Sequence, residues 1–147
     1  MPLSKHQVKA MKTSHFAAKY GPYALVAGGS DGLGFAFAEA IARRGLNLVL
    51  IARREERLKM VTRQLQETYG VDIVPITADL ADTEQVIQRV SALKATIGLL
   101  VYNAAFAPIG SFEKTSDTDL ALAASVNVNT PLLLVKLLSG PMIKQKR

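Results

Sequence analysis

Seven residues constrain this chain more than any others: Gly28-Gly29-Ser30-Asp31-Gly32-Leu33-Gly34. They follow Tyr-Ala-Leu-Val-Ala at 23–27, a mostly apolar run that reads as a strand buried on both faces. They lead into a segment, about Asp31 to Arg44, in which Leu33, Phe37 and Ile41 recur at helical spacing until Gly45 stops it. A glycine cluster alone makes ordinary turns. Between a strand and a helix it predicts a crossover that holds a dinucleotide. Gly28 permits the tight turn, Gly32 lets the backbone approach a phosphate, and Gly34 lets the helix pack closely on the sheet. Ser30, Asp31 and Leu33 complete the loop around the pyrophosphate, which the N–H groups and dipole of the first helical turn favour.

The same reading continues along the chain. Residues 47–52 (Asn-Leu-Val-Leu-Ile-Ala), 72–77 and 99–103 are predicted strands, and 55–69, 83–96 and 117–138 are predicted helices. Strictly alternating strands and helices with right-handed crossovers make a parallel sheet covered on both faces. The expected class is therefore α/β, a Rossmann-type sheet with helices on both sides. One domain is expected over 20–143, with a loosely ordered basic leader at 1–19 and a basic tail at 144–147. A fifth strand is expected where Pro141-Met142-Ile143-Lys144-Gln145-Lys146-Arg147 stands. Four strands fall short of the six-stranded arrangement, so the domain is expected to be truncated after the fourth strand and its following helix.

Composition removes several alternatives. The chain has no cysteine, which excludes a disulfide scaffold, thiolate chemistry and sulfur-ligated zinc. His6 and His15 are too isolated to suggest a metal site, and no metal is expected. The net charge of +6 invites a nucleic-acid reading, but Lys5, Lys9, Lys12, Lys19, Lys144, Lys146 and Arg147 lie at the two ends. Between them 11 basic residues face 12 acidic ones, so no basic stripe and no nucleic-acid partner is expected. Glu55-Glu56 and Asp117/Asp119 suit the first turns of helices and do not form a glycosidase pair. No apolar run reaches the roughly 18 residues needed to read as a membrane-spanning helix, and no signal-peptide segment opens the chain. A cytoplasmic location without an integral membrane segment is the expectation.

Ala27 and the glycines behind it resemble the T-G-x-x-x-G-x-G fingerprint of the short-chain dehydrogenase/reductase family, with alanine in place of threonine. Tyr-Gly-Pro-Tyr-Ala-Leu-Val at 20–26 and Arg-Gly-Leu-Asn-Leu-Val-Leu-Ile-Ala-Arg at 44–53 resemble in particular its branch of 17β-hydroxysteroid dehydrogenases and long-chain 3-oxoacyl reductases. At the end of the second strand, where a carboxylate would take a ribose 2′-hydroxyl, the chain offers Arg53 and Arg54. A guanidinium suits a 2′-phosphate. NADP(H) is therefore preferred over NAD, with Arg53 the main contact; the alternative is that both arginines open a solvated helix. The resemblance implies that Asp79 bonds the adenine amine and Leu80 contributes its backbone, although Asp79 could also cap the helix from Thr83. It implies that Asn103-Ala104-Ala105 passes behind the cofactor. Tyr102 replaces the first asparagine of that element, and Ala105 places a Cβ where a glycine is usual.

Asn127, in Ser-Val-Asn-Val-Asn-Thr-Pro, matches the family's catalytic asparagine. Pro131 has no N–H, so the Asn127 carbonyl loses its ordinary helical donor. The resemblance implies that this carbonyl holds a relay water; a simple kink is the alternative. The family's serine and Tyr-x-x-x-Lys pair are absent: none of Tyr20, Tyr23, Tyr69 or Tyr102 has a lysine four residues later. In a full-length parent the resemblance implies hydride transfer between nicotinamide and a small-molecule carbonyl or alcohol, 3-oxoacyl or steroid-like. For this chain itself the preferred reading is a catalytically inactive nucleotide-binding or subunit-interaction fragment. Homo-oligomerisation through the long helix near 117–138 is a further implication.

Overall fold

The computed structural model describes residues 15–146. Four strands, β1 (Tyr23–Ala27), β2 (Asn47–Ala52), β3 (Ile73–Thr77) and β4 (Ile97–Tyr102), form one parallel sheet in the order β3-β2-β1-β4. The chain steps outward from β1 to β3 and then crosses back to the other side of β1. That reversal opens a crevice at the carboxyl ends of β1 and β4, where open parallel sheets bind ligands. Ala27 stands in register with Ile51 on one side and Tyr102 on the other, so the three strands end level with one another.

Strand residues alternate between two cores. Ala24, Val26, Leu48 and Leu50 pack with Ala38 and Ile41 of α2 (Gly32–Arg43) and with Leu58 and Leu65 of α3 (Glu55–Tyr69). Leu25, Ala27, Val49 and Ile51 turn to the other face, against Val86 and Val90 of α4 (Thr83–Ser91) and against Leu134 and Leu138. The uninterrupted apolar strands follow from burial on both sides. Local chemistry sets the helix ends. Glu55 and Glu56 lie in the first turn of α3, and Gly70 ends that helix at φ 64°. Asp82 caps α4 by accepting from Gln85 N at 3.1 Å. Ser116 and Asp119 bond one another at the start of the next helix, where Asp117 adds a second acid.

Several expectations change. Residues 1–14 of the expected leader, His6 included, lie outside the described residues, as does Arg147. Residues 15–19, however, belong to α1 (His15–Tyr20), whose Phe16 and Tyr20 rings meet at a tilt, 4.8 Å apart, and pack against the first core. The helix expected over 117–138 runs on through Pro141: α5 (Asp117–Ala124), a π-turn (Ser125–Asn129) and α6 (Thr130–Lys144) are continuous. This 28-residue helix, of mean hydropathy 1.5 over its most apolar stretch, is long and apolar enough to cross a membrane by length and composition. It departs from the expectation that no apolar run is long enough to span a membrane; polar residues at 125, 127, 129 and 130 break up its apolar sequence. In the structure Val126, Thr130, Leu134 and Leu138 are buried, while Leu132, Leu133 and Val135 are exposed. The predicted helix over 83–96 stops at Ser91, and β4 starts two residues earlier than expected.

Thr62 is buried on α3 and its hydroxyl has no hydrogen-bond partner among the described residues. Thr62→Val removes that unpaired group at nearly constant volume and should raise stability by about 1 kcal/mol, measured by urea unfolding.

Candidate functional site

The site is built where the sheet's ladders run out. Gly28 N donates to the Ile51 carbonyl (2.8 Å) and Asn103 N to the Ala27 carbonyl (2.9 Å), so both loops leave the sheet from a fixed point. Gly28 then turns at φ 80°, a conformation that favours glycine. The next constraint is steric. A Cβ on Gly34 would stand 1.9 Å from the Gly28 carbonyl oxygen and 3.0 Å from Asn103 Nδ2, so the start of α2 rests directly on the turn. Gly32 differs: its φ of 50° favours glycine, but beyond its chain neighbours and its own helical turn nothing lies within 4 Å of where its Cβ would be. The space above Gly32 is open, as a phosphate-bearing ligand requires. Asp31 caps α2 by accepting from Gly32 N at 2.9 Å, so this N–H is already engaged.

A cavity of about 350 Å³ lies over this end of the sheet. Ten of the thirteen cofactor residues read from the sequence line it: Gly28, Ser30, Asp31, Arg53, Arg54, Asp79, Leu80, Asn103, Ala104 and Ala105. Gly32, Leu33 and Gly34 do not. Gly34 is buried beneath the turn, and Leu33 points outward with 64% exposure. Arg53 and Arg54 stand at the end of β2. Arg54 Nη2 donates to Asp31 Oδ2 at 2.9 Å, whereas Arg53 has no partner among the described residues. The Arg54 guanidinium above all, then the Gly32 N–H and Arg57, holds the Asp31 carboxyl below the usual carboxylate range. Asp79 accepts from Ala81 N (2.9 Å), closing a local turn. The helix cap that it might have supplied comes from Asp82 instead. Ala105 is exposed.

The far wall is held by hydrogen bonds from the long helix. Asn127 Oδ1 accepts from Phe106 N (2.9 Å) and its Nδ2 donates to the Phe106 carbonyl (2.7 Å), which fixes the loop after β4. Asn127 does not line the cavity, whereas Phe106, Leu122 and Val126 do. Pro131 acts together with the π-turn. The Thr130 N–H goes to the Ser125 carbonyl, five residues back, and Pro131 has no N–H to give. The Val126 carbonyl therefore lacks both helical donors, and the Tyr102 hydroxyl fills the gap at 2.6 Å. Burial pushes the Tyr102 hydroxyl up from near 10 to about 12, so it remains a donor. Thr130, fully buried, donates through Oγ1 to the Leu80 carbonyl (2.8 Å), so Thr83 must donate to Thr130 across 2.6 Å. The Leu80 carbonyl thus faces inward.

Sequence reasoning missed Arg57, Tyr102 as a donor, and Thr130. Arg57 follows Arg54 by three residues at the start of a helix, a spacing that places both on one face. Thr130 had no signal in its own neighbourhood.

Comparison with known proteins agrees with this geometry. The profile of the short chain dehydrogenase family matches residues 22–147. The chain is 36% identical over 133 residues to an "Inactive hydroxysteroid dehydrogenase-like protein 1" of Pongo abelii, covering 88% of this chain and 40% of that protein. It is 34% identical over 113 residues to a very-long-chain 3-oxoacyl-CoA reductase of Anas platyrhynchos, covering 74% and 36%. Among solved structures, a short-chain dehydrogenase from Sphingobium yanoikuyae in complex with NADPH superposes with a TM-score of 0.78 at 30% identity, covering 85% of this chain and 50% of that one. The chain thus spans less than half the length of these two curated relatives.

Gly34→Ala should destabilise the protein by about 3 kcal/mol or more, because backbone must move. Gly32→Ala should cost only about 1–2 kcal/mol, for φ alone; denaturant unfolding of both variants checks the order. Tyr102→Phe leaves the Val126 carbonyl unpaired and should cost about 1–3 kcal/mol at neutral pH. The hydroxyl's raised value means its contribution is complete below pH 10 and declines as pH rises toward about 12. The stability gap between wild type and Tyr102→Phe should therefore narrow over that alkaline range.

Proposed function

The chain belongs to the short-chain dehydrogenase family, and on that premise we propose that its cleft binds NADP(H) in preference to NAD. The observation that carries this reading is the Arg53 guanidinium, without a partner among the described residues, in the same cavity wall as the glycine turn, Asp79 and Asn103. A guanidinium without an internal partner is suited to a phosphate and loses nothing by taking one. When bound, the nicotinamide supplies or accepts a hydride. The residues here bind and orient the nucleotide: the turn over Gly28 and Gly32 cradles the pyrophosphate, Asp79 and Leu80 border the adenine, and Asn103-Ala104-Ala105 backs the nicotinamide side. A superposable short-chain dehydrogenase in complex with NADPH supports a nicotinamide nucleotide as the ligand. In a longer protein built on this half, the reaction would be hydride exchange with a carbonyl or alcohol, and the carbonyl of Asn127 would face the relay water. A cytoplasmic setting belongs to the same proposal.

A second reading applies to these 147 residues as they stand: they bind nucleotide, or pair with another subunit, and catalyse nothing. It is favoured by the absence of any Tyr-x-x-x-Lys pair and by the similarity to a relative described as inactive. Exposed Leu132, Leu133 and Val135 on the long helix suit subunit pairing.

Calorimetric titration separates these functions. NADPH should bind with a dissociation constant of about 100 μM or tighter. Arg53→Ala should weaken NADPH about tenfold while leaving NADH unchanged. No heat with either nucleotide would overturn the cofactor reading and leave the subunit role.

A further inference from the structure

Three charged side chains, Asp31, Arg54 and Arg57, meet where the glycine turn faces the start of α3, and Arg53 lines the same cleft. Asp31 is an anion in the wall of a cleft otherwise suited to a phosphate, and unpaired it would repel one. Its two oxygens are held by different groups. Oδ2 accepts from Arg54 Nη2 at 2.9 Å. Oδ1 accepts from Gly32 N at 2.9 Å and from Arg57 Nη2 at 3.2 Å. Arg57 also donates through Nε to the Ser30 carbonyl at 3.2 Å, so one guanidinium grips two successive residues of the turn. Arg57 does not line the cleft; it lies beside Phe35, Met60 and Val61 on the outer side. Arg54 does line the cleft, is 67% exposed along its side chain, and has Asp31 as its one hydrogen-bond partner among the described residues. Of the two arginines on Asp31, Arg54 is the one free to leave.

We propose that Arg57 is a positioning residue for 2′-phosphate recognition: it keeps Asp31 neutralised so that Arg54 can turn from the carboxylate to a phosphate monoester in the cleft. The inference rests on the NADP(H) reading above. With Arg57 in place, Arg53 and Arg54 both face the phosphate and Asp31 is still paired. Without Arg57, Asp31 either retains Arg54 or stands as a bare anion beside the ligand. Both outcomes weaken attraction for a dianionic phosphate, and neither matters to the 2′-hydroxyl of NADH. The charges are exposed, so the effect is modest in size. Its selectivity carries the test.

The experiment is a set of calorimetric titrations with NADPH and NADH on wild type, Arg57→Gln, Arg57→Lys, Asp31→Asn and the Arg57→Gln/Asp31→Asn double variant. Asparagine keeps an oxygen to cap Gly32 N while removing the charge. Arg57→Gln should weaken NADPH about three- to fivefold and leave NADH unchanged. Asp31→Asn should tighten NADPH by a similar factor, because Arg54 is released. In the Asp31→Asn background the Arg57→Gln change should shift NADPH affinity by less than about twofold, since no anion remains to be held. Arg57→Lys should recover part of the loss, keeping the charge without the two-point fork. Equal weakening of NADPH and NADH by Arg57→Gln would assign Arg57 a purely structural role and overturn the proposal. An undiminished loss in the Asp31→Asn background would overturn it too. Should Arg57→Gln fail to fold, Asp31→Asn still decides: unchanged or weaker NADPH binding contradicts the proposal. A wild type that binds NADPH and NADH alike removes the 2′-phosphate reading itself. A wild-type preference for NADPH that survives Arg57→Gln removes the role of Arg57 alone.

Discussion

The contact between Gly34 and the carbonyl of Gly28 governs the rest of the site. With a would-be Cβ only 1.9 Å from that oxygen, the start of α2 is pressed onto the end of β1 as closely as backbone allows. This closeness brings the helix terminus over the strand end, where an anion gains from the dipole and from N–H groups of the loop. It also aims Asp31 across the turn, toward the first residues of α3. A side chain at position 34 would push the helix outward, and the cleft wall formed by Ser30 and Asp31 would move with it. The cleft is thus a consequence of packing: two glycines meet, and everything carried on the loop between them is placed.

The opposite wall depends on polar pins. An ordinary α-helix satisfies its own carbonyls, which leaves it little to offer a neighbouring loop. Here the π-turn and Pro131 together free the Val126 carbonyl, and Tyr102 at the end of β4 takes it. Asn127 holds Phe106 by both its backbone groups, and Thr130 ties the helix to Leu80 through a bond buried from water. Each pin joins the long helix to the end of β4 or to a loop that leaves the sheet at the cleft. Breaking the regular hydrogen-bond pattern of the helix is what lets it organise the site, a use typical of π-turns.

Charge around the glycine turn is arranged with the same economy. Asp31 caps a helix, receives two arginines and sits in the wall of the cleft. Arg53, one residue before Arg54, has no partner among the described residues. The difference between these adjacent arginines cannot be seen from their order in the chain, because it depends on which side of the β2 terminus faces the turn.

Most of the fold was legible in the sequence. Buried strands in a parallel sheet must be apolar throughout, amphipathic helices must repeat at helical spacing, and a turn at positive φ calls for glycine; all three leave a mark in the order of residues. The strand-turn-helix at 23–44 could therefore be read directly, and with it Gly28, Ser30 and Asp31 of the cavity wall, whereas Asp79, Leu80 and Asn103 to Ala105 were marked out by the family resemblance. The tertiary structure alone decided the partners: Arg57 on Asp31 and Ser30, Tyr102 on Val126, Thr130 on Leu80, and the continuation of the long helix through Pro141. These pairings join residues 24 to 50 positions apart, apart from the Pro141 helix, and no local periodicity records which polar groups become orphans. A hydrogen bond needs both a donor and an acceptor left unsatisfied at the same place, and that coincidence exists only once the elements have packed.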